Sequence, residues 1–161
     1  MSAAKVAARA AATGTTYDDD FYTWTREQGA RLRARDFGGL DLDNLAEEIE
    51  SLGRSEFNSL VSAWRLILLH MLKWDHQPDR RTRSWMISIR THRNRAADLL
   101  VDNPGLKSRL QQALERAYRD ARDEASVETG LPLRAFPKEC PYSWDEMATR
   151  IFSIDSEDTL G

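Results

Sequence analysis

The stretch NLAEEIESLGRSEFNSLVSAWRLILLHMLKW, residues 44–74, decides how the rest of the chain is read. Leu45, Ile49, Leu52, Leu60, Trp64, Ile67 and Met71 recur at spacings of three and four, with Glu56 in the slot between. That is the period of one helix face. The register survives across Gly53, so a single helix from about Asp43 to Trp74 fits, as does a helix with a kink near Ser51-Leu52-Gly53, since glycine inside a helix costs about 1 kcal/mol relative to alanine. From Trp64 to Leu72 the residues are apolar nearly all round, which suits a helix surrounded by other helices.

Working outward, Asp18-Asp19-Asp20 opens an earlier helix, where carboxylates suit the positive end of the helix dipole. Its stripe is Phe21, Trp24, Gln28 and Leu32, and Gly38-Gly39 is expected to end it. Asp41 or Asn44 is the N-cap candidate for the central helix. Pro78 ends that helix by pushing Gln77 away from helical angles. A third helix starts between Asp79 and Ser84 and turns Trp85, Ile89, Ala96, Leu99 and Leu100 inward. Asn103-Pro104 reads as the N-cap and first residue of a fourth helix, whose stripe is Leu106, Leu110, Leu114, Ala117, Tyr118 and Ala121. Gly130 and Pro132 close it. PLRAFPKECP, held extended by its prolines, leads to Ser143-Trp144-Asp145-Glu146, a capping-box pattern that opens a short last helix. No segment alternates as a strand does.

The fold expected is therefore all-α: a single-domain helical bundle of about four main antiparallel helices plus a short C-terminal helix, joined by short turns. The bundle spans 17–152, with a disordered tail at 1–16 and an acidic flexible tail at 153–161.

Composition narrows the class. The chain has 161 residues, 41% hydrophobic and 30% charged, enough for one core and unlike a disordered chain. The single cysteine, Cys140, excludes an internal disulfide and fits a reducing compartment. The N-terminus lacks the apolar block of a signal peptide. LILLHML, the longest strongly apolar run, is far shorter than the roughly 20 residues of a membrane span. A soluble, cytoplasmic protein without membrane contact is expected. Net charge is −3, but it falls in blocks. Residues 17–60 hold eleven acids and five bases, 73–95 two acids and seven bases, and 139–161 six acids and one base. Such blocks steer a partner or neutralise one another in the fold.

Chemistry concentrates at HMLKWDHQPDRRTRSW, residues 70–85. His70, Lys73 and Trp74 share one side of the central helix, and a turn at Gln77-Pro78 brings Arg80, Arg81, Ser84 and Trp85 back beside them. His70 is placed about level with Trp85 and Lys73 with Thr82. The set suits a histidine acid/base with cations holding an anion, or phosphate contacts with a tryptophan for base stacking. It equally suits core tryptophans, a hydrogen-bonded histidine and arginines paired with acids. Ser84 has no histidine at helical spacing, so no nucleophile–base pair is visible, and no glycine-rich phosphate loop is present.

A second cluster, Glu47, Glu48 and Glu50, sits where acids stabilise a helix start without further function. His70 and His76 differ by about 240° of helical rotation and cannot share an ion from a regular helix. No metal site and no cofactor are expected, unless those carboxylates converge with His70, which a continuous helix forbids within one chain. Arg90, Arg93, Asn94 and Arg95 read as a solvated face, as do Arg116, Arg119 and Arg122 alternating with acids.

Three segments carry a family resemblance: YDDDFYTWTREQGARLRARDFGGLDLDNLAEEIESLGRSE (17–56), LLHMLKWDHQPDRRTRSW (68–85) and LRAFPKECPYSWDEM (133–147). Over roughly 17–150 the chain resembles a bacterial family, the domain of unknown function number twenty-nine. The resemblance implies an all-helical domain and no particular activity. Three functional classes thus stand open: a non-catalytic interaction module, binding a protein partner or itself; a nucleic-acid-binding or nucleic-acid-processing protein using residues 70–95; and a hydrolase with His70 as acid/base.

Overall fold

The computed structural model describes residues 14–154. The expected tails therefore lie outside the described residues, apart from 14–16 and 153–154. Five α-helices occur in that span: α1 (Phe21–Ala34), α2 (Leu42–His76), α3 (Arg83–Asp102), α4 (Leu110–Thr129) and α5 (Trp144–Thr149). No β-strand occurs among the described residues, and the fold is an all-α helical bundle. By its contacts the chain divides into two compact units, one up to Leu52 and one from Gly53 on.

In the first unit, Asp20 is the N-cap of α1 and accepts a hydrogen bond from the Thr23 N–H. Trp24 is the buried centre. Its indole N–H donates to Asp41 (3.2 Å), and the rings of Tyr17 and Phe21 pack on it at 5.0 and 5.9 Å. Gln28, buried beside it, accepts the Asp41 N–H at 2.9 Å. Asp41 thus joins α1 to the start of α2, and its side chain also takes the Asn44 amide at 2.7 Å. The helix α1 stops at Ala34, earlier than Gly38-Gly39 suggests. Arg35 adopts a left-handed conformation (φ 58°), and the N–H groups of Arg35 and Asp36 close on the Leu32 and Arg31 carbonyls. A non-glycine residue in that conformation costs about 1–2 kcal/mol, which is why the sequence points elsewhere.

Gly53 lies inside α2, which is one helix of 35 residues. An added Cβ at Gly53 would meet no atom within 4 Å. Gly53→Ala is accordingly expected to raise unfolding free energy by about 0.5–1 kcal/mol, measured by urea denaturation, through a smaller loss of chain freedom on folding. The first turns of α2 depart from the expected stripe: Ile49 and Leu52 stand exposed.

In the second unit the core is built around the apolar end of α2. Leu60, Leu68, Met71 and Leu72 are fully buried. Against them stand Met86, Ile89 and Ala96 of α3, and a face of α4 formed by Ala113, Ala117, Ala121 and Ala125 with Tyr118. Alanine every fourth residue leaves α4 with one smooth face. Ion pairs Arg65–Glu124 and Lys73–Glu128 lie along the same two helices. Between α3 and α4, Pro104–Arg109 forms a 3₁₀ segment, so Pro104 does not begin the α-helix as Asn103-Pro104 suggested. The Asn103 side chain instead donates to Leu99 O and Glu56.

Gly130 ends α4 in the left-handed conformation (φ 71°). The chain then runs back across the unit, anchored by Phe136, which is 1% exposed. Arg122 donates to the Phe136 and Leu133 carbonyls (3.2 and 3.1 Å), and the Tyr118 hydroxyl donates to Pro137 O (2.6 Å). Arg122 is thus a fastening for this segment rather than part of a solvated face. Ser143 and Glu146 form the expected capping box at α5.

Candidate functional site

The turn between α2 and α3 gathers most of HMLKWDHQPDRRTRSW, and the contacts there are largely structural in kind. Lys73 pairs with Glu128, and its ammonium lies 4.7 Å from the centre of the Trp85 ring. It is Lys73, therefore, that lies over Trp85. Trp74 is buried, with Phe152 against its edge at 5.2 Å and the Arg81 guanidinium 4.9 Å from its ring centre. Arg81 Nε also donates to Trp74 O at 3.0 Å, closing a carbonyl that the end of α2 leaves without an intrahelical donor. Arg80 is exposed in the 3₁₀ turn Pro78–Arg80. Ser84 is exposed and shares a hydrogen bond with the Thr82 hydroxyl (2.9 Å).

His70 is half-buried. Its Nδ1 lies 2.7 Å from Leu66 O, one turn earlier in α2. A carbonyl only accepts, so Nδ1 carries the proton and Nε2 holds the lone pair. Burial, with the nearby Lys73 charge, outweighs the Leu66 hydrogen bond and lowers the His70 pKa, keeping the ring neutral at pH 7. His76 and His92 repeat the arrangement on Leu72 O (2.8 Å) and Ser88 O (2.7 Å). The Ser88 hydroxyl is 3.4 Å from His92 Nδ1. That nitrogen already donates to a carbonyl and cannot take the serine proton. The i, i+4 pairing of Ser88 with His92 is visible in the sequence, but as a nucleophile–base pair it fails on the tautomer.

Of the acidic cluster, Glu48 accepts a hydrogen bond from the Tyr17 hydroxyl at 2.5 Å. That bond, with the neighbouring acids, pushes the Tyr17 pKa up to about 12. Glu47 and Glu50 are exposed. Glu47 and His70 lie on one unbroken helix, 70 − 47 = 23 positions apart. Among the described residues no group of three or more His, Cys, Asp or Glu side chains is placed to hold a metal ion.

A different place has the shape of a site. A cavity of about 330 Å³ opens between α3 and the chain that ends α5, lined by Met86, Ile89, Arg90, Arg93, Arg150 and Phe152 among others. None of the residues picked out at 70–85 lines it. Arg93 is fixed by three carbonyls at the end of α5: Met147 (2.6 Å), Arg150 (2.9 Å) and Glu146 (3.0 Å). Arg150 makes a two-pronged pair with Asp75 (2.6 and 2.9 Å), which also accepts from the Tyr142 hydroxyl (2.9 Å). Burial pushes the Asp75 carboxyl up, but the Arg150 and Tyr142 hydrogen bonds and the Arg150 charge prevail and hold it below its ordinary value. Periodicity does place Arg90, Arg93 and Asn94 on one side of α3. It gives no sign that a segment more than fifty residues later covers that side.

No helix among the described residues is long and apolar enough to cross a membrane. No curated protein and no solved structure matches the chain. A family model does, over residues 16–153, nearly the whole described span. On that match, and with the all-helical fold it accompanies, the chain belongs to the family described as domain of unknown function DUF29.

Proposed function

We propose that this chain is a non-catalytic interaction module whose partner-facing surface lies in the unit up to Leu52. One observation carries the reading. On α1, α2 and the turn between them, Tyr22, Phe37, Leu42, Ile49 and Leu52 are 64–72% exposed, although the last three lie at helical spacing on α2. Exposed apolar side chains gathered on one side of a helix, as Leu42, Ile49 and Leu52 are, are characteristic of sites where another macromolecule docks. The 70–85 region, by contrast, has its Lys73, Trp74 and Arg81 engaged in holding the second unit together. That leaves the nucleic-acid and hydrolase readings with less to rest on. The single cysteine fits a reducing, cytoplasmic setting for such a module.

The test compares the wild-type chain with an Ile49→Glu/Leu52→Glu double variant. Both side chains are exposed, so folding stability should change by no more than about 0.5 kcal/mol per site. Sedimentation velocity of the pure protein and co-purification from its own host are the readouts. Self-association, or capture of a defined partner, that the double variant loses is the expected result. A wild-type chain that stays monomeric and captures nothing overturns the proposal, as does association that the variant retains.

A further inference from the structure

We propose that the cavity between α3 and the end of α5 binds a small organic anion with an apolar body. Its volume, about 330 Å³, falls at the lower end of the roughly 300–1,000 Å³ of small-molecule sites. The charges around it do not balance. Three arginines are among the residues that line the cavity, Arg90, Arg93 and Arg150. Asp75 answers Arg150 alone. The other nearby acid, Glu146, is held by the Ser143 backbone and hydroxyl in the capping box (2.8 and 2.9 Å). Arg93 is half-buried, and its hydrogen-bond partners are neutral carbonyls. Those bonds use three of the five N–H donors a guanidinium carries, one on each nitrogen, which leaves a donor on each terminal nitrogen. Arg90 is exposed, with no hydrogen-bond or ion-pair partner among the described residues.

The crowding of like charge is direct. The guanidinium carbons of Arg93 and Arg150 lie 5.5 and 5.0 Å from the centre of the same ring, Phe152. Burial first, and then the Arg150 charge, lower the Arg93 pKa, with no acid acting in the other direction. An anion entering the cavity supplies the missing negative charge and accepts the donors that remain. Charge-assisted bonds to guanidinium favour a planar carboxylate or a phosphate group. The rest of the lining sets the other half of the specificity. Met86, Ile89 and Phe152 form a buried apolar floor with almost no surface exposed, and Ile151, 64% exposed, supplies the open apolar surface at the rim. A bare inorganic ion would leave Ile151 uncovered, whereas an apolar body attached to the charged group would pack on it.

The test follows methyl resonances of Met86, Ile89 and Ile151 in the full chain while benzoate, benzyl alcohol or inorganic phosphate is added. Saturable shifts with benzoate are expected, with benzyl alcohol binding about tenfold more weakly, the ratio expected for one charge-assisted hydrogen bond. Phosphate, lacking the apolar body, should also bind more weakly than benzoate. Arg90→Gln should weaken benzoate more than benzyl alcohol, narrowing the ratio between them. Ile151→Asp, at an exposed rim position, should remove benzoate binding while the remaining methyl spectrum keeps its folded dispersion. Equal affinity for benzoate and benzyl alcohol, phosphate binding as tightly as benzoate, or shifts that never saturate would each overturn the proposal.

Discussion

Leu68→Ala is expected to lower unfolding free energy by about 2–5 kcal/mol, read as a fall in urea midpoint at unchanged slope. Leu68 is fully buried in the stretch of α2 that is apolar nearly all round. Truncation removes the transfer free energy of the lost carbons and leaves a void that rigid neighbours fill only in part. The buried cluster around Leu68 includes Leu72 on the same helix and the alanines of α4, whose methyl groups are too short to move into a gap. Ile87→Ala is the matched control. Ile87 is 51% exposed on α3, so its truncation should cost no more than about 0.5 kcal/mol. Equal losses for the two variants would show that the second unit is not organised around α2.

Asp75→Ala should have the next largest effect, about 2–3 kcal/mol at pH 7. It takes the acceptor from both Arg150 and the Tyr142 hydroxyl. The Asp75 and Arg150 side chains keep 29% and 30% of their surface exposed, so the loss stays below the 3–5 kcal/mol of a fully buried pair. The pH dependence has a definite sign. The folded-state pKa of Asp75 is lower than the ordinary carboxylate value of about 4. Its contribution is therefore fully present above that ordinary value and is lost as pH falls through the folded one. Asp75→Asn, which keeps an acceptor but not the charge, isolates this part. The gap in unfolding free energy between wild type and Asp75→Asn should be widest near neutrality and close as pH drops below about 4. A gap that persists unchanged in acid would mean that shape, not ionisation, is what Asp75 contributes.

The helices were legible because their signals are local. The apolar period of α2, the acid at the start of α1 and the Ser143–Glu146 capping box each need only a few neighbouring residues to be read. The places where reading along the chain failed are those where a distant segment decides the outcome. Arg93 and Arg122 look like solvated charges on their own helices, yet they hold carbonyls at Glu146–Arg150 and at Leu133 and Phe136. Ile49 and Leu52 keep a core-like period but remain exposed, because periodicity says which face is apolar and not whether anything covers it. At 70–85 the sequence placed its polar residues about one turn, where most of them lie. It did not show that His70 Nδ1 is held by Leu66 O, nor that Lys73 answers Glu128. The cavity was illegible for the same reason: half of its wall comes from residues 148–152, and the end of α5 before them is fastened by Arg93, far away in the chain.

The run of alanines at 113, 117, 121 and 125 has a consequence for how this chain tolerates change. On α2 the side chains are large and well packed, so drift toward smaller residues opens voids while many swaps of similar volume are absorbed. On α4 the asymmetry is reversed. There is almost nothing to remove from a methyl group, but one added branch pushes two backbones apart and strains the Arg65–Glu124 and Lys73–Glu128 pairs beside it. The seam is a bulky surface laid against a smooth one. A substitution that enlarges one side can be accepted only together with one that shrinks the other, so the two helices are constrained to vary as a pair.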